Sequence, residues 1–443
     1  MKKTNHSMVV MVLTVMATAS VLLFAACSDD TKSDEPEDTT KYTVSFALGY
    51  TTTRNPPASM TVAAGKAAGT LPTPVRPTWD FTGWKDESDK RYTRDTVING
   101  DVALTAQWEF TPGTDNPIFR DYFTADPAPF VVDDVVYIVC GNDVLPPTAP
   151  NNEYYRMKQW LMYSTTDMKT FKYENVILKS EDFSFGRANS AWASQIIQGL
   201  DGRFYFYVTV DASGGKAIGV AVAETVTGPY VPERTPVVTR SQQLADTGVQ
   251  GRNNDLNIDP TALIDDDGKA YLMWGQMPFY AELNEDMISI KGKIKLWPPG
   301  VENHAEWKSE DTYDEGPYLY KRGDWYYMFY PSGIAEAGYE RISYSMAPSF
   351  NGPWTEGVRI TGGAPGFSGG YCYTIHPGIL EFKGQAYLFY HNARLSLEVD
   401  GATWNGATGR RSVAVDYLYF NEDGTIPFVT LSNDGISLPP VDQ

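Results

Sequence analysis

From Asn116 onward, short apolar runs alternate with polar turns, and no sustained run repeats at the 3.6-residue spacing of a helix. Asp126-Pro-Ala-Pro-Phe-Val-Val-Asp-Asp-Val-Val-Tyr137 reads as a strand, a polar turn and a second strand. The same cassette recurs as Ser194-Gln-Ile-Ile-Gln-Gly-Leu-Asp-Gly-Arg-Phe-Tyr205 and over residues 259–271. Glu315-Gly-Pro-Tyr-Leu-Tyr-Lys-Arg-Gly-Asp-Trp-Tyr326 is the fourth copy, and His376-Pro-Gly-Ile-Leu-Glu-Phe-Lys-Gly-Gln-Ala-Tyr387 the fifth. The closing aromatic advances by about 55 to 70 residues per copy, a period that fits four-stranded propeller blades with generous loops. Asp-Gly, Arg-Gly and Lys-Gly pairs in the turns supply the left-handed positions of tight hairpins. The pattern predicts an all-β protein: a five-bladed β-propeller over residues 116–443.

Ahead of the array, residues 41–110 alternate apolar and polar positions in shorter runs. Tyr42-Thr-Val-Ser-Phe46 and Val102-Ala-Leu-Thr-Ala-Gln-Trp108 read as strands. With Phe81-Thr-Gly-Trp84 and the closing Ala106-Gln-Trp108, this region resembles the Listeria–Bacteroides repeat, which implies a small β-grasp-like module used for spacing or attachment. Thr111-Pro-Gly-Thr114 then forms a linker. Residues 1–26 read as an export signal: Lys2 and Lys3 open it, and an apolar stretch follows. Leu23-Phe24-Ala25-Ala26-Cys27 resembles a lipoprotein processing site, which would leave Cys27 lipidated. Residues 27–40 are polar and acidic, the composition of a disordered tether. Cys27-Ser28-Asp29-Asp30 resembles the export tag of surface lipoproteins. The expected location is the outer membrane at the cell surface, with its periplasmic face as the alternative, and contact with the membrane only through the lipid.

Composition removes some classes. A formal net charge of −19 leaves no basic patch to neutralise phosphates, so nucleic acid is not an expected partner. Cys140 and Cys372 stand in apolar surroundings and are expected to be buried free thiols.

Chemistry concentrates where each cassette opens. A polar residue precedes each first strand: Asp126, then Ser194 or Gln195, Asp259, Glu315 and His376. Innermost propeller strands surround the axis, so these residues should converge. Three carboxylates beside a histidine would raise one another's pKa and separate an acid from a base. Paired carboxylates across a pocket are what glycoside hydrolysis needs. Taken alone, an aspartate before a proline can equally start a strand or cap a turn; the joint pattern is what points to catalysis.

Here the chain resembles glycoside hydrolase family 43. The resemblance rests on Thr124-Ala-Asp-Pro-Ala-Pro-Phe130, Ile258-Asp-Pro-Thr261, Glu315-Gly-Pro-Tyr318 and His376-Pro-Gly-Ile379, extended by Ala191-Trp-Ala-Ser-Gln195 and Arg411-Ser-Val-Ala-Val415. It implies an inverting enzyme acting on arabinose- and xylose-containing polysaccharides. Asp126 would be the general base, Glu315 the general acid and Asp259 the carboxylate that tunes and orients the acid. His376 would lie low in the pocket, where relatives hold a hydrated calcium ion near the axis; no other cofactor is required. Trp192 and Gln195 are candidates for lining the sugar site, and Arg411 for holding a sugar hydroxyl or the acid, with a blade-edge salt bridge as its alternative. Two positions depart from the family: Ser194-Gln195 replaces a common proline and acid, and Pro377 replaces a common second histidine. His391, at the far end of its strand, reads as structural, and His304 lies in an irregular segment within possible reach of substrate.

The expected activity is release of α-L-arabinofuranosyl or β-D-xylosyl units from hemicellulose such as arabinoxylan. An arabinan-degrading enzyme of the same family is one alternative, and a non-catalytic glycan-binding propeller the other. The acidic run Asp265-Asp266-Asp267-Gly268 aligns with Lys321-Arg322-Gly323 and Lys383-Gly384, so it is expected to be a solvated turn rather than a calcium loop.

Overall fold

The computed structural model describes residues 40–50, 54–149, 154–250, 256–300, 307–366, 370–401 and 408–441. The export signal, Cys27, the tether up to residue 39 and His304 lie outside these residues.

Four antiparallel sheets of four strands and one of three follow one another along the chain. Each opens with an edge strand: Thr124–Val132, Ser194–Gln198, Thr261–Ile264, Tyr318–Arg322 and Gly378–Phe382. These five strands touch in cyclic order, the fifth returning to the first, so they ring one axis as the cassette period predicts.

The second strands show why blades form. In Phe204–Ala212 both faces are apolar, because a blade is sandwiched between neighbours. Phe204, Phe206 and Val208 join the cluster containing Trp160 of the first blade. Tyr205 and Tyr207 point the opposite way and join Trp274 and Phe279 of the third. Side-chain alternation along a strand thus divides one apolar run between two inter-blade cores. Cys140 and Cys372 are buried in two different cores and neither is in a disulfide, as expected.

The ring closes through the segment preceding the first blade. The Ile118 N–H donates to Val413 O at 2.9 Å. Asn116, buried, accepts from Val415 N–H through Oδ1 at 2.8 Å and donates through Nδ2 to Val415 O at 3.1 Å and Ser432 O at 2.9 Å. One side chain therefore completes the edge of the last blade as a backbone strand would.

Residues 41–110 form a separate mixed sheet. Its central strands, Lys41–Ala47 and Val102–Phe110, run parallel, and its core gathers Val44, Phe46, Trp84 and Leu104. No helix covers this sheet among the described residues, so the likeness to a β-grasp extends only to the strands. It docks on the first blade through Thr78 N–H to Asp167 O at 3.2 Å and an ion pair between Lys169 and Asp80 at 2.7 Å.

Replacing Asn116 by alanine strands the buried N–H and C=O of Val415. The expected cost is about 2–4 kcal/mol in urea unfolding. A change below about 0.5 kcal/mol would show that the closure does not depend on this side chain.

Candidate active site

Asp126 and Asp259 both sit in the left-handed region, at φ 54° and 57°, each directly before a proline. In the first blade this coincides with a register shift between Ala125 and Ala128, a bulge that re-aims the aspartate toward the axis. The fourth blade keeps the left-handed residue before proline but fills it with Gly316, at φ 53°. Glu315 is therefore one residue out of register with the two aspartates, which corrects the cassette alignment. Since aspartates hold the same φ in the other two blades, it is space that calls for the glycine: a Cβ there would meet Pro331 at 2.9 Å and His376 Nε2 at 3.1 Å. Asp259 is fixed by its own N–H, which donates to Thr209 Oγ1 at 2.8 Å, and by Gly316 N–H, which donates to its Oδ2 at 3.2 Å.

His376 stands between all three carboxylates. Its Nδ1 lies 3.4 Å from Asp126 Oδ1, and its Nε2 lies 3.2 Å from Glu315 Oε1 and 4.0 Å from Asp259 Oδ2. Burial alone would discharge the ring, but Asp126, Asp259 and Glu315 outweigh it and push its pKa up to about 9. His376 is thus an imidazolium at neutral pH.

The carboxylates separate accordingly. Burial disfavours the Asp126 anion, yet Arg411 and then His376 hold it well below the carboxylate range, so it is ionised. Asp259 goes the other way: burial, reinforced by Glu315 and Asp126 and opposed by His376, lifts it to about 7. Glu315 feels burial too, but the hydrogen bond and charge of His376, with help from Lys216, keep it below its usual value. Of this pair, Asp259 is therefore the carboxyl that holds on to a proton more strongly.

Arg411 is buried and reaches the opposite side from the acid. Its Nε and Nη2 grip Asp143 at 2.9 and 3.0 Å, and its Nη1 meets Asp126 Oδ1 at 3.1 Å. Nη1 and Nη2 also contact Thr374 Oγ1 at 3.5 Å and Met157 Sδ at 3.2 Å, so its donors are spent within the protein. Instead of a sugar hydroxyl or the acid, it holds Asp126. Gln195 is likewise redirected: it is 6% exposed, and its Oε1 accepts Ala262 N–H at 2.6 Å, tying the second blade to the third. Trp192 is half-buried, with Lys216 Nζ 4.0 Å above its ring and its Nε1 unpartnered among the described residues.

Sequence reasoning passed over His391 and Asp143. His391 Nδ1 accepts the Asp126 N–H at 3.2 Å, and its Nε2 faces Thr374 Oγ1 at 3.0 Å. Burial and Arg411 drop its pKa to about 4, so it positions Asp126 as a neutral ring. Both residues close the second strand of their blade, Gln385–Asn392 and Val135–Asp143. An antiparallel hairpin returns that end to the start of the first strand: Thr124 pairs with Asn142, and Gly378 with Phe389. The available signal was an ionisable residue at or next to the end of an otherwise largely apolar strand.

Asp259, Glu315 and His376 offer ligand atoms within 4.8 Å of one another, a grouping that could hold a metal ion. A hydrated calcium is a poorer match. The axial cavity beside His376, floored by Ser194, Gln195, Pro317 and Tyr318, has a volume of about 20 Å³, room for one water. The trio also brings one nitrogen and two carboxylates, whereas calcium seeks six to eight oxygens. The acidic turn has a mixed fate: Asp266 is 90% exposed, as expected of a solvated turn, whereas Asp265 binds Lys321 and Tyr326 of the next blade.

Removing the Arg411 charge should leave Asp126 and Asp143 buried without their cation. Arg411→Met is expected to lose about 3–5 kcal/mol of stability in urea unfolding at neutral pH. A side chain that touched substrate alone would leave the midpoint unmoved.

Residues 114–426 match the family model "Glycosyl hydrolases family 43". Xylosidase/arabinosidase 43A of Humicola insolens is 26% identical over 354 residues, spanning 70% of this chain and 98% of that protein. A xylosidase/arabinosidase of Bacteroides ovatus is 27% identical across 69% of this chain and 94% of its own length. An arabinoxylan arabinofuranohydrolase of Paenibacillus polymyxa is 27% identical, spanning 74% of this chain and 53% of its own. A solved β-xylosidase/α-arabinofuranosidase from a compost metagenome superposes with a TM-score of 0.57 over 72% of this chain and 98% of that one, at 24% identity, a likeness of fold. With most of the chain inside the family match and its five sheets ringing one carboxylate-lined axis, the protein belongs to glycosyl hydrolase family 43.

Proposed function

We propose that the protein is an inverting glycosidase that releases α-L-arabinofuranosyl or β-D-xylosyl units from hemicellulose, with arabinoxylan side chains as the first-choice substrate. The observation that carries this reading is the pair of carboxylates on opposite edges of one imidazole. The contacts of 3.4 and 3.2 Å limit the distance between Asp126 Oδ1 and Glu315 Oε1 to at most about 9 Å. Inversion needs about 6.5–9.5 Å, enough for a water between base and sugar. The choice of sugar is supported by the names of the relatives, two xylosidase/arabinosidases and an arabinoxylan arabinofuranohydrolase.

Asp126, ionised and held by Arg411, His376 and His391, takes a proton from that water as it attacks the anomeric carbon. Glu315 delivers a proton to the leaving glycosidic oxygen. In the resting site that proton sits on Asp259, whose ligand oxygen lies within 4.8 Å of that of Glu315. A sugar entering the pocket removes water from Glu315, whose side chain retains 17% exposure, and this raises its proton affinity relative to Asp259. Asp259 is then a proton reservoir as well as an orienter.

Glu315→Gln keeps the shape and loses the proton. Its kcat on arabinoxylan oligosaccharides should fall by about 10²–10⁴; an unchanged rate, or a product released with retained anomeric configuration, would overturn the assignment.

The pH profile should be lopsided. The shared proton, bound with a pKa of about 7, is present below that pH and lost above it, so kcat/KM should decline as pH rises through about 7. Asp126 ionises well below the usual range, so the acid limb should fall at unusually low pH. In Asp259→Asn a like charge disappears from beside Glu315, and the alkaline limb should move to lower pH. An alkaline limb that stays in place in that variant would show that the two carboxyls do not share a proton.

A further inference from the structure

Two buried groups beside the carboxylates have no role in this mechanism and no partner among the described residues: the Tyr155 hydroxyl and Glu340 Oε1. Each such group costs about 1–3 kcal/mol if left unsatisfied, so a second use is called for.

Tyr155 flanks the base. Its ring centroid lies 4.9 Å from Arg411 Cζ and 6.1 Å from the Trp192 ring, which meets it edge-on. Its backbone is left-handed, at φ 43°, a conformation seldom taken by a bulky residue. The surroundings hold it there, with its N–H donating to Thr408 O at 3.2 Å. Strain of this kind gathers where a side chain must be aimed.

Glu340 flanks the acid. It directly precedes strand Arg341–Ala347 of the fourth blade, and its own N–H donates to Tyr373 O at 3.0 Å. Its Oε2 accepts the Ile375 N–H at 2.7 Å, from the residue next to His376, which touches Glu315. Burial raises its pKa well above the carboxylate range, and Glu315 and Asp314 add to the effect. The group is a neutral acid with one oxygen tied to the backbone and the other uncommitted.

We propose that Tyr155 and Glu340 form the part of the subsite that takes the hydroxyl groups of the bound pentose, through the Tyr155 hydroxyl and Glu340 Oε1. The inference rests on the glycosidase reading and extends it from the scissile bond to the sugar ring. A neutral carboxyl and a phenol can each donate and accept, so both suit hydroxyls, and neither adds a further anion beside Glu315. Together with Trp192 Nε1, they are buried polar atoms without partners among the described residues, Tyr155 beside Arg411 and Glu340 within the field of Glu315.

The test is steady-state kinetics on a pentoside that the parent hydrolyses. Glu340→Leu should lower kcat/KM by about 10–100-fold, mainly through KM. Glu340→Gln, a neutral group that can still accept from Ile375, should stay within about threefold of the parent. Tyr155→Phe should lose about tenfold in kcat/KM without losing thermal stability. That loss should vanish with a substrate deoxygenated at the contacted position. Glu340→Gln as damaged as Glu340→Leu would mean that the group works ionised, and would overturn the proposal. So would Tyr155→Phe with a lower Tm and unchanged kcat/KM, the signature of a structural hydroxyl. If the parent hydrolyses no pentoside, the glycosidase reading falls. Calorimetric binding of free xylose and arabinose then decides this inference separately: it stands if Tyr155→Phe and Glu340→Leu weaken binding, and falls if they do not.

Discussion

The structure turns on keeping like charges apart at one end of a ring. Asp126 and Asp143 share Arg411, Asp126, Asp259 and Glu315 crowd His376, and Glu340 feels the charge of Glu315. Two unit charges about 4 Å apart interact by roughly 4 kcal/mol at an effective dielectric near 20, so five anions cannot coexist there. The site settles this by geography. Toward the first and fifth blades, Arg411 keeps Asp126 ionised while its other donors bind Asp143. Toward the third and fourth, Asp259 and Glu340 retain protons. An ionised and a protonated carboxyl thus arise from one residue type placed in two surroundings, Asp126 and Asp259.

The fold supplies the meeting point and leaves the chemistry to its departures from symmetry. Asp126 and Asp259 share a left-handed backbone before proline, and Gly316 repeats it without a side chain. Had an aspartate stood at 316, its Cβ would have run into Pro331 and crowded His376. Moving the acid back one residue and lengthening it to glutamate lets it reach the imidazole from outside the ring. The ties between blades use ordinary residues: Thr209 takes the Asp259 N–H, Thr261 takes the Leu319 N–H at 3.0 Å, and Tyr318 reaches Pro129 O at 3.0 Å.

The blade period and the convergence of Asp126, Asp259, Glu315 and His376 were legible because each is local, a short motif recurring at a readable interval. What was not legible depends on strand reversal and on distance along the chain. His391 looked remote because it ends its strand, yet antiparallel pairing folds that end back beside Asp126. Arg411 and Asp143 are neighbours through the closure of the ring, and no spacing rule joins them. The environment of a residue, rather than its motif, also decides its task. Gln195 stands in a family motif but is used up holding Ala262, while Glu340 stands in none and is bonded to Ile375, the neighbour of His376.

The two cations around Asp126 are not equivalent, and the difference bears on catalysis. Arg411 cannot be discharged, so the ionisation of Asp126 is secured whatever happens on the other side of the pocket. His376 bridges both sides: it touches Asp126 through Nδ1 and Glu315 through Nε2. In the proposed mechanism its charge opposes protonation of Glu315 before reaction, so removal of water from Glu315 by the sugar and the proton held by Asp259 are what load that carboxyl. Once Glu315 has released its proton, the same imidazolium faces a newly formed carboxylate and stabilises it. With a pKa near 9, it keeps its charge through that exchange. The contact that makes the ground state reluctant is therefore the one that favours the charge developing on the acid, the differential interaction that lowers a barrier.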